Sequence, residues 1–242
     1  MHQESLKALL VGNGHVPPRA CLAADVFDDV GLIVAADGGA LRCRALGLRP
    51  DLVVGDFDSA DAAEIEALAR AGVEIRRVPA EKDESDLELA LRAAIERGAR
   101  RVITLGALGG PRVEHALAAI WLLAQAAAEG VDLSIVDDRS VLRALVGGSA
   151  AGAPADVEVR GTPGDFVSLF PFGGDADGVS TVGLRYPLRN EPLRAGPSRG
   201  LSNELLVPVA TVSCRGGRLL IVHTRRPAAK PAGDQSSEEC TR

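Results

Sequence analysis

Leu52-Val53-Val54-Gly55-Asp56-Phe57-Asp58-Ser59 is a short apolar run, closed by a glycine turn, with two carboxylates two residues apart just after it. In an extended chain residues i and i+2 point the same way. Asp56 and Asp58 can therefore present their oxygens to a single hard cation such as Mg²⁺. The same unit recurs on both sides. Ala8-Leu9-Leu10-Val11 ends at Gly12-Asn13-Gly14, and Leu32-Ile33-Val34-Ala35-Ala36 is closed by Asp37-Gly38-Gly39. Residues 73–78, 101–105 and 133–136 are further strand candidates. Segments with helical spacing lie between them: 62–71, 86–97 with Leu87, Leu91 and Ile95 in register, and 114–129. Strands alternating with helices predict an α/β fold, a mostly parallel sheet covered by helices. Ligands bind such sheets at the carboxyl ends of the strands. Asp37, Asp56, Asp58 and the Gly109-Gly110 turn all follow predicted strands, so they are expected along one edge.

The pattern changes near residues 147–152. Beyond that loop come only short β-prone runs, at 157–159, 166–170, 179–184, 205–212 and 219–222, interrupted by Gly and Pro. They predict a C-terminal antiparallel β-sandwich. The expected organisation is an α/β nucleotide- and metal-binding domain over 1–147, a β-sandwich domain over 153–226, and a disordered tail over 227–242, where little can be buried.

Composition narrows the function. A net charge of −6 argues against general nucleic-acid binding, which needs clustered Lys and Arg. The four cysteines form no CxxC pair, so neither a zinc site nor a disulfide framework is suggested. There is no signal-peptide pattern and no apolar run of membrane-spanning length. A soluble, cytoplasmic protein is expected.

A second acidic element, Lys82-Asp83-Glu84-Ser85-Asp86, follows the first, and a polar turn, Gly109-Gly110-Pro111-Arg112-Val113-Glu114-His115, comes later. Each has a plain structural reading. Asp58 or Ser59 can cap the following helix, and Ser85 with Glu88 can form a capping box. Asp56 has no capping role, however, and Asp83 and Asp86 lie three apart on one face of a helix start. The glycines of Asp37-Gly38-Gly39 and Gly109-Gly110 would let backbone approach a phosphate, and Arg112 and His115 add donors. Neither GxxxxGK[ST] nor GxGxxG is present. Metal-holding carboxylates beside phosphate-receiving groups point to phosphoryl chemistry on a nucleotide.

These residues resemble the thiamine pyrophosphokinase (thiamine diphosphokinase) family. The resemblance rests on Ala36-Asp37-Gly38-Gly39-Ala40, on Pro50-Asp51 leading into Gly55-Asp56-Phe57-Asp58-Ser59, and on Lys82-Asp83-Glu84-Ser85-Asp86-Leu87-Glu88. It continues through residues 109–115 and Leu201-Ser202-Asn203-Glu204, in the family's order. It implies transfer of the diphosphate of ATP to thiamine, giving thiamine diphosphate and AMP, in a homodimer. Asp56, Asp58, Asp83 and Asp86 would form the catalytic acidic cluster, with Mg²⁺ on Asp56, Asp58 and Asp86. Asp37, Gly38, Gly39, Lys82, Gly110, Arg112 and His115 would face the nucleotide, and Ser202 and Asn203 would help hold thiamine. The chain departs from the family pattern at Pro111, an insertion, at Glu114, where Asp is usual, and at Ala119, where Asn is frequent. A Mg²⁺-dependent nucleotide pyrophosphohydrolase and a non-catalytic thiamine or nucleotide sensor are the alternative readings.

Overall fold

The computed structural model describes residues 5–57, 62–148 and 154–227. Asp58, Ser59 and the expected tail beyond Pro227 lie outside the described residues. The chain divides into two compact units: residues up to Leu122 with Gly130–Asp138, and Leu123–Glu129 with the residues from Arg139 onward.

The first unit contains six strands, β1 (Leu6–Val11), β2 (Val30–Ala36), β3 (Leu52–Gly55), β4 (Glu74–Arg77), β5 (Ala99–Leu105) and β6 (Asp132–Val136). All five pairings are parallel, in the order β6-β5-β1-β2-β3-β4. The apolar runs are buried on both faces: Leu9, Leu10, Val11, Val34, Leu52, Val53 and Leu105 have almost no exposed surface. Continuous burial of this kind is what a helix-covered parallel strand requires. Lys7 is the charged exception. Its ammonium donates to the carbonyls of Asp25 and Asp28, 2.6 Å each, so two of its three donors are met within the protein.

The helices are α1 (Gly39–Ala45), α2 (Ala62–Arg70), α3 (Asp86–Glu96) and α4 (Val113–Ala128). Ser85 caps α3 by accepting the Glu88 N–H at 3.2 Å, and the helix stops where Gly98 takes φ +91°. The capping reading of Ser85 is therefore real. Helix α1 did not stand out in the sequence, where its start reads only as a turn. Gly39 lets it form, because a Cβ there would collide with the carbonyl oxygen of Val11.

The chain runs outward from β1 through β2 and β3 to β4, then returns to place β5 on the other side of β1. That reversal makes the β1/β5 edge a switch point, where a crevice opens at the strand ends.

The second unit holds two antiparallel sheets. One has the order β12 (Asn203–Glu204), β9 (Phe166–Pro171), β14 (Arg218–Thr224), β7 (Ser140–Val146). The other has the order β11 (Glu191–Leu193), β10 (Ala176–Val182), β13 (Val209–Cys214), β8 (Ala155–Arg160). Both contribute to one core, which includes Leu145, Val167, Leu169 and Leu219 from the first sheet and Val159, Val179, Val212 and Cys214 from the second. Two antiparallel sheets sharing a core form a sandwich. The expected strand over 205–212 begins only at Val209. The N–H groups of Leu205 and Leu206 go instead to Asp165 and Gly183, and Pro208 has none to give.

Cys43 and Cys214 are free and buried, and burial pushes the Cys43 thiol up to about 12. Among the described residues no helix is long and apolar enough to cross a membrane.

Candidate functional site

A cavity of about 350 Å³ opens at the carboxyl ends of the first unit's strands. The walls come from segments beyond the strand ends: Gly12, Asn13 and Gly14 after β1, Asp37 after β2, Asp56 after β3, Ser85 and Asp86 at the start of α3, and Gly106, Ala107, Gly110, Arg112 and His115 after β5. Two of these walls are fastened together. Gly12 N–H donates to Leu105 O (2.8 Å), Gly14 N–H to Gly106 O (2.7 Å) and His15 N–H to Leu108 O (2.8 Å).

Asp56 and Asp86 come from separate elements and meet over one lysine. The Lys82 ammonium lies 3.2 Å from Asp56 Oδ2, 3.1 Å from Asp86 Oδ1 and 3.1 Å from the Pro79 carbonyl oxygen. Burial lowers the Lys82 pKa, but the bonds from Asp86 and Asp56 outweigh it and hold it above its ordinary value. The ammonium donates hydrogen bonds to Asp56 Oδ2 and the Pro79 carbonyl and is ion-paired with Asp86 Oδ1. Lys82 thus faces the acidic pair, whose two members line the cavity.

Asp37 sits at φ +46° and donates its N–H to Val54 O at 2.8 Å. Aspartate tolerates this left-handed conformation better than most residues. Gly38 and Gly39 do not line the cavity; Gly38 packs against the Asn13 side chain. Asp83 is exposed and outside the lining, and Asp58 lies outside the described residues. Gly110, Arg112 and His115 all line the cavity. Arg112 Nε donates to Glu114 Oε1 at 2.6 Å, and this bond holds the Glu114 carboxyl below the usual range. Glu114 therefore takes up one face of the Arg112 guanidinium.

Sequence reasoning treated Gly12-Asn13-Gly14 as a turn only, yet it forms a wall of the cavity. The available signal was its position at the end of the first strand, the same position that drew attention to Asp37 and Asp56.

Ser202 and Asn203 belong to the second unit. Ser202 N–H donates to Ser168 Oγ at 3.0 Å. The Asn203 amide is committed at both ends: Nδ2 donates to Tyr186 O (2.7 Å), and Oδ1 accepts from Tyr186 N–H (3.0 Å) and Glu204 N–H (2.9 Å). Asn203 thus holds the backbone of Tyr186, whose ring is exposed.

The acidic pair fits a divalent cation on the chemistry of its donors. Mg²⁺ is usually held by one or two carboxylates together with phosphate oxygens and water. Asp56 and Asp86 offer two such groups within reach of one cation, as Lys82 demonstrates. Among the described residues, no three His, Cys, Asp or Glu side chains gather as metal ligands.

Two domain families match the chain: thiamin pyrophosphokinase, catalytic domain, over residues 23–135, and thiamin pyrophosphokinase, vitamin B1 binding domain, over 156–219. The thiamine pyrophosphokinase of Bacillus subtilis (strain 168) is 28% identical over 197 residues, covering 81% of this chain and 89% of that protein. Among solved structures, the thiamin pyrophosphokinase of Geobacillus thermodenitrificans is similar with a TM-score of 0.75 at 29% identity, covering 92% of this chain and 99% of that one. The Bacillus subtilis crystal structure shares the fold with a TM-score of 0.77, at 24% identity over 91% of this chain and 99% of that one.

Proposed function

The chain belongs to the thiamine pyrophosphokinase family, transferases that make thiamine diphosphate from ATP and thiamine, and we propose that the cavity on its first unit receives the ATP phosphates. The observation that carries this reading is the meeting of Asp56 and Asp86 over one cation at the rim of a cavity of about 350 Å³.

In the reaction the hydroxyethyl oxygen of thiamine forms a bond to the β-phosphorus. The bond from that phosphorus to the α,β-bridging oxygen breaks, and AMP leaves. The hydroxyl proton would pass to one of the carboxylates Asp56, Asp58 and Asp86. Asp56 and Asp86 would hold Mg²⁺, joined by Asp58. Such an ion, when bound, neutralises phosphate oxygens and orients them. The chain's own groups do the rest. Arg112 and His115 supply donors on the wall formed after β5, where phosphate charge is to be offset. The stitched loops after β1 and β5 give a wall whose backbone is already paired, so little reorganisation accompanies binding.

Thiamine is assigned to the second unit, where the vitamin B1 binding domain matches residues 156–219. Ser202 is read as a thiamine contact, and Asn203 as the residue that fixes Tyr186. A homodimer is read from the apolar residues this unit exposes, among them Val182, Tyr186 and Leu206.

The test is an assay of purified protein with ATP, Mg²⁺ and thiamine, scored for AMP and thiamine diphosphate together. Equal amounts of the two products are expected. Asp56→Asn should lower turnover roughly a hundredfold or more while leaving the far-UV spectrum intact. Near wild-type turnover in that variant at the same Mg²⁺ would remove Asp56 from the site.

A further inference from the structure

The role of Lys82 follows from the oxygens that surround its ammonium. Its side chain is only 13% exposed, and its ammonium spans Asp56 and Asp86, both of which line the cavity. Two carboxylates within reach of a common point repel each other unless a cation lies between them. In the protein without a divalent ion, Lys82 is that cation.

We infer that Lys82 is the built-in counterion of the Asp56–Asp86 pair, holding the two carboxylates together until a divalent cation arrives and competing with that cation for them. The inference rests on the proposed metal role of the pair. Any ion bound by both aspartates must either take the oxygens that the ammonium grips or sit beside a positive charge a few ångströms away. Both weaken its binding. Lys82 therefore keeps the site assembled and lowers its affinity, so that the ion held there can also leave with product.

Removing the charge should have opposite effects on the two states. Lys82→Met is expected to melt at a lower temperature than wild type when no divalent ion is present. The same variant should bind Mn²⁺ roughly tenfold more tightly, read by electron paramagnetic resonance of the free ion without nucleotide. Lys82→Arg keeps the charge and should bind Mn²⁺ within about threefold of wild type. Lys82→Gln carries the same comparison should the methionine variant not fold. In the wild-type protein, Mn²⁺ should raise the rate at which acetic anhydride labels Lys82, mapped by mass spectrometry.

Unchanged or weaker Mn²⁺ binding in the uncharged variants overturns the inference, as does labelling that Mn²⁺ leaves unchanged. A phosphate-contacting lysine would instead raise the KM for ATP with no gain in Mn²⁺ affinity. Asp56→Asn separates this failure from a deeper one. If that variant binds Mn²⁺ as wild type does, the pair is not the metal site and the counterion role falls with it.

Discussion

Asp165, 4% exposed, organises one end of the sandwich through a single buried carboxylate. Thr162 N–H donates to Oδ2 at 2.9 Å, Arg226 N–H to Oδ1 at 2.8 Å, and His223 Nε2 lies 3.0 Å from Oδ2. Its main-chain oxygen accepts from Leu205 N–H at 2.9 Å, which fixes the segment just after Asn203–Glu204. Burial raises the Asp165 pKa, but the Arg226 and Thr162 amides and His223 outweigh it, so the carboxyl stays below its ordinary 3.8. A carboxyl depressed in the folded state stabilises fully above its unfolded pKa, and that stabilisation is lost as pH falls through the folded value. Asp165→Asn should therefore cost about 2 kcal/mol at pH 7. The gap from wild type should narrow once the pH drops below 3.8, as the wild-type carboxyl itself becomes neutral. Urea denaturation of both proteins at pH 7 and at acid pH measures this. A gap of constant size would show that charge on Asp165 is not what holds the segment.

At the scale of elements, the glycine at the start of α1 makes a sharp prediction. The helix lies against β1 so closely that Gly39 faces the Val11 carbonyl oxygen with no room for a side chain. Gly39→Ala should destabilise the first unit by about 3 kcal/mol, seen as a lower thermal midpoint, because strand and helix must part. An unaltered midpoint would mean that the contact relaxes freely. The same element shows where sequence reading stopped. The central strands of the first unit were legible because they are β-branched or leucine runs ended by a turn. The rims of the cavity were legible because a parallel sheet sends every such turn to one edge. Helix α1 was not, since Asp37-Gly38-Gly39 reads equally well as a phosphate turn, and only packing shows that the glycines serve close approach. Lys82 and Asn203 were legible as motif members but not in their contacts. A motif gives the residue, whereas its partners, Asp56 for one and Tyr186 for the other, are set by folding elsewhere in the chain. The affiliation of β7 was equally hidden, because it is decided by the pairing of Ser140–Val146 with Arg218–Thr224.

For the whole molecule, the question is what covers the apolar surface of the second unit. Residues 182–186 and 205–209 run side by side, tied by Leu206 N–H to Gly183 O at 2.9 Å. They expose Val182, Tyr186, Leu206, Val207 and Val209 together. Neighbouring exposed apolar side chains on a folded protein mark an interaction surface, and a second copy of the chain is the occupant the proposed homodimer supplies. Light scattering behind size exclusion should give twice the chain mass, and Val182→Glu should shift the protein to monomer with its circular dichroism unchanged. A monomer in the wild type would leave the patch for another partner. The stitching between the loops after β1 and β5 has its own consequence. Amides zipped in this way continue the sheet past its last residues, so the ledge beneath the proposed nucleotide is held as the strands are. Selectivity among purine and pyrimidine triphosphates must then arise from side chains swinging above that ledge, and evolution can retune it without disturbing the scaffold.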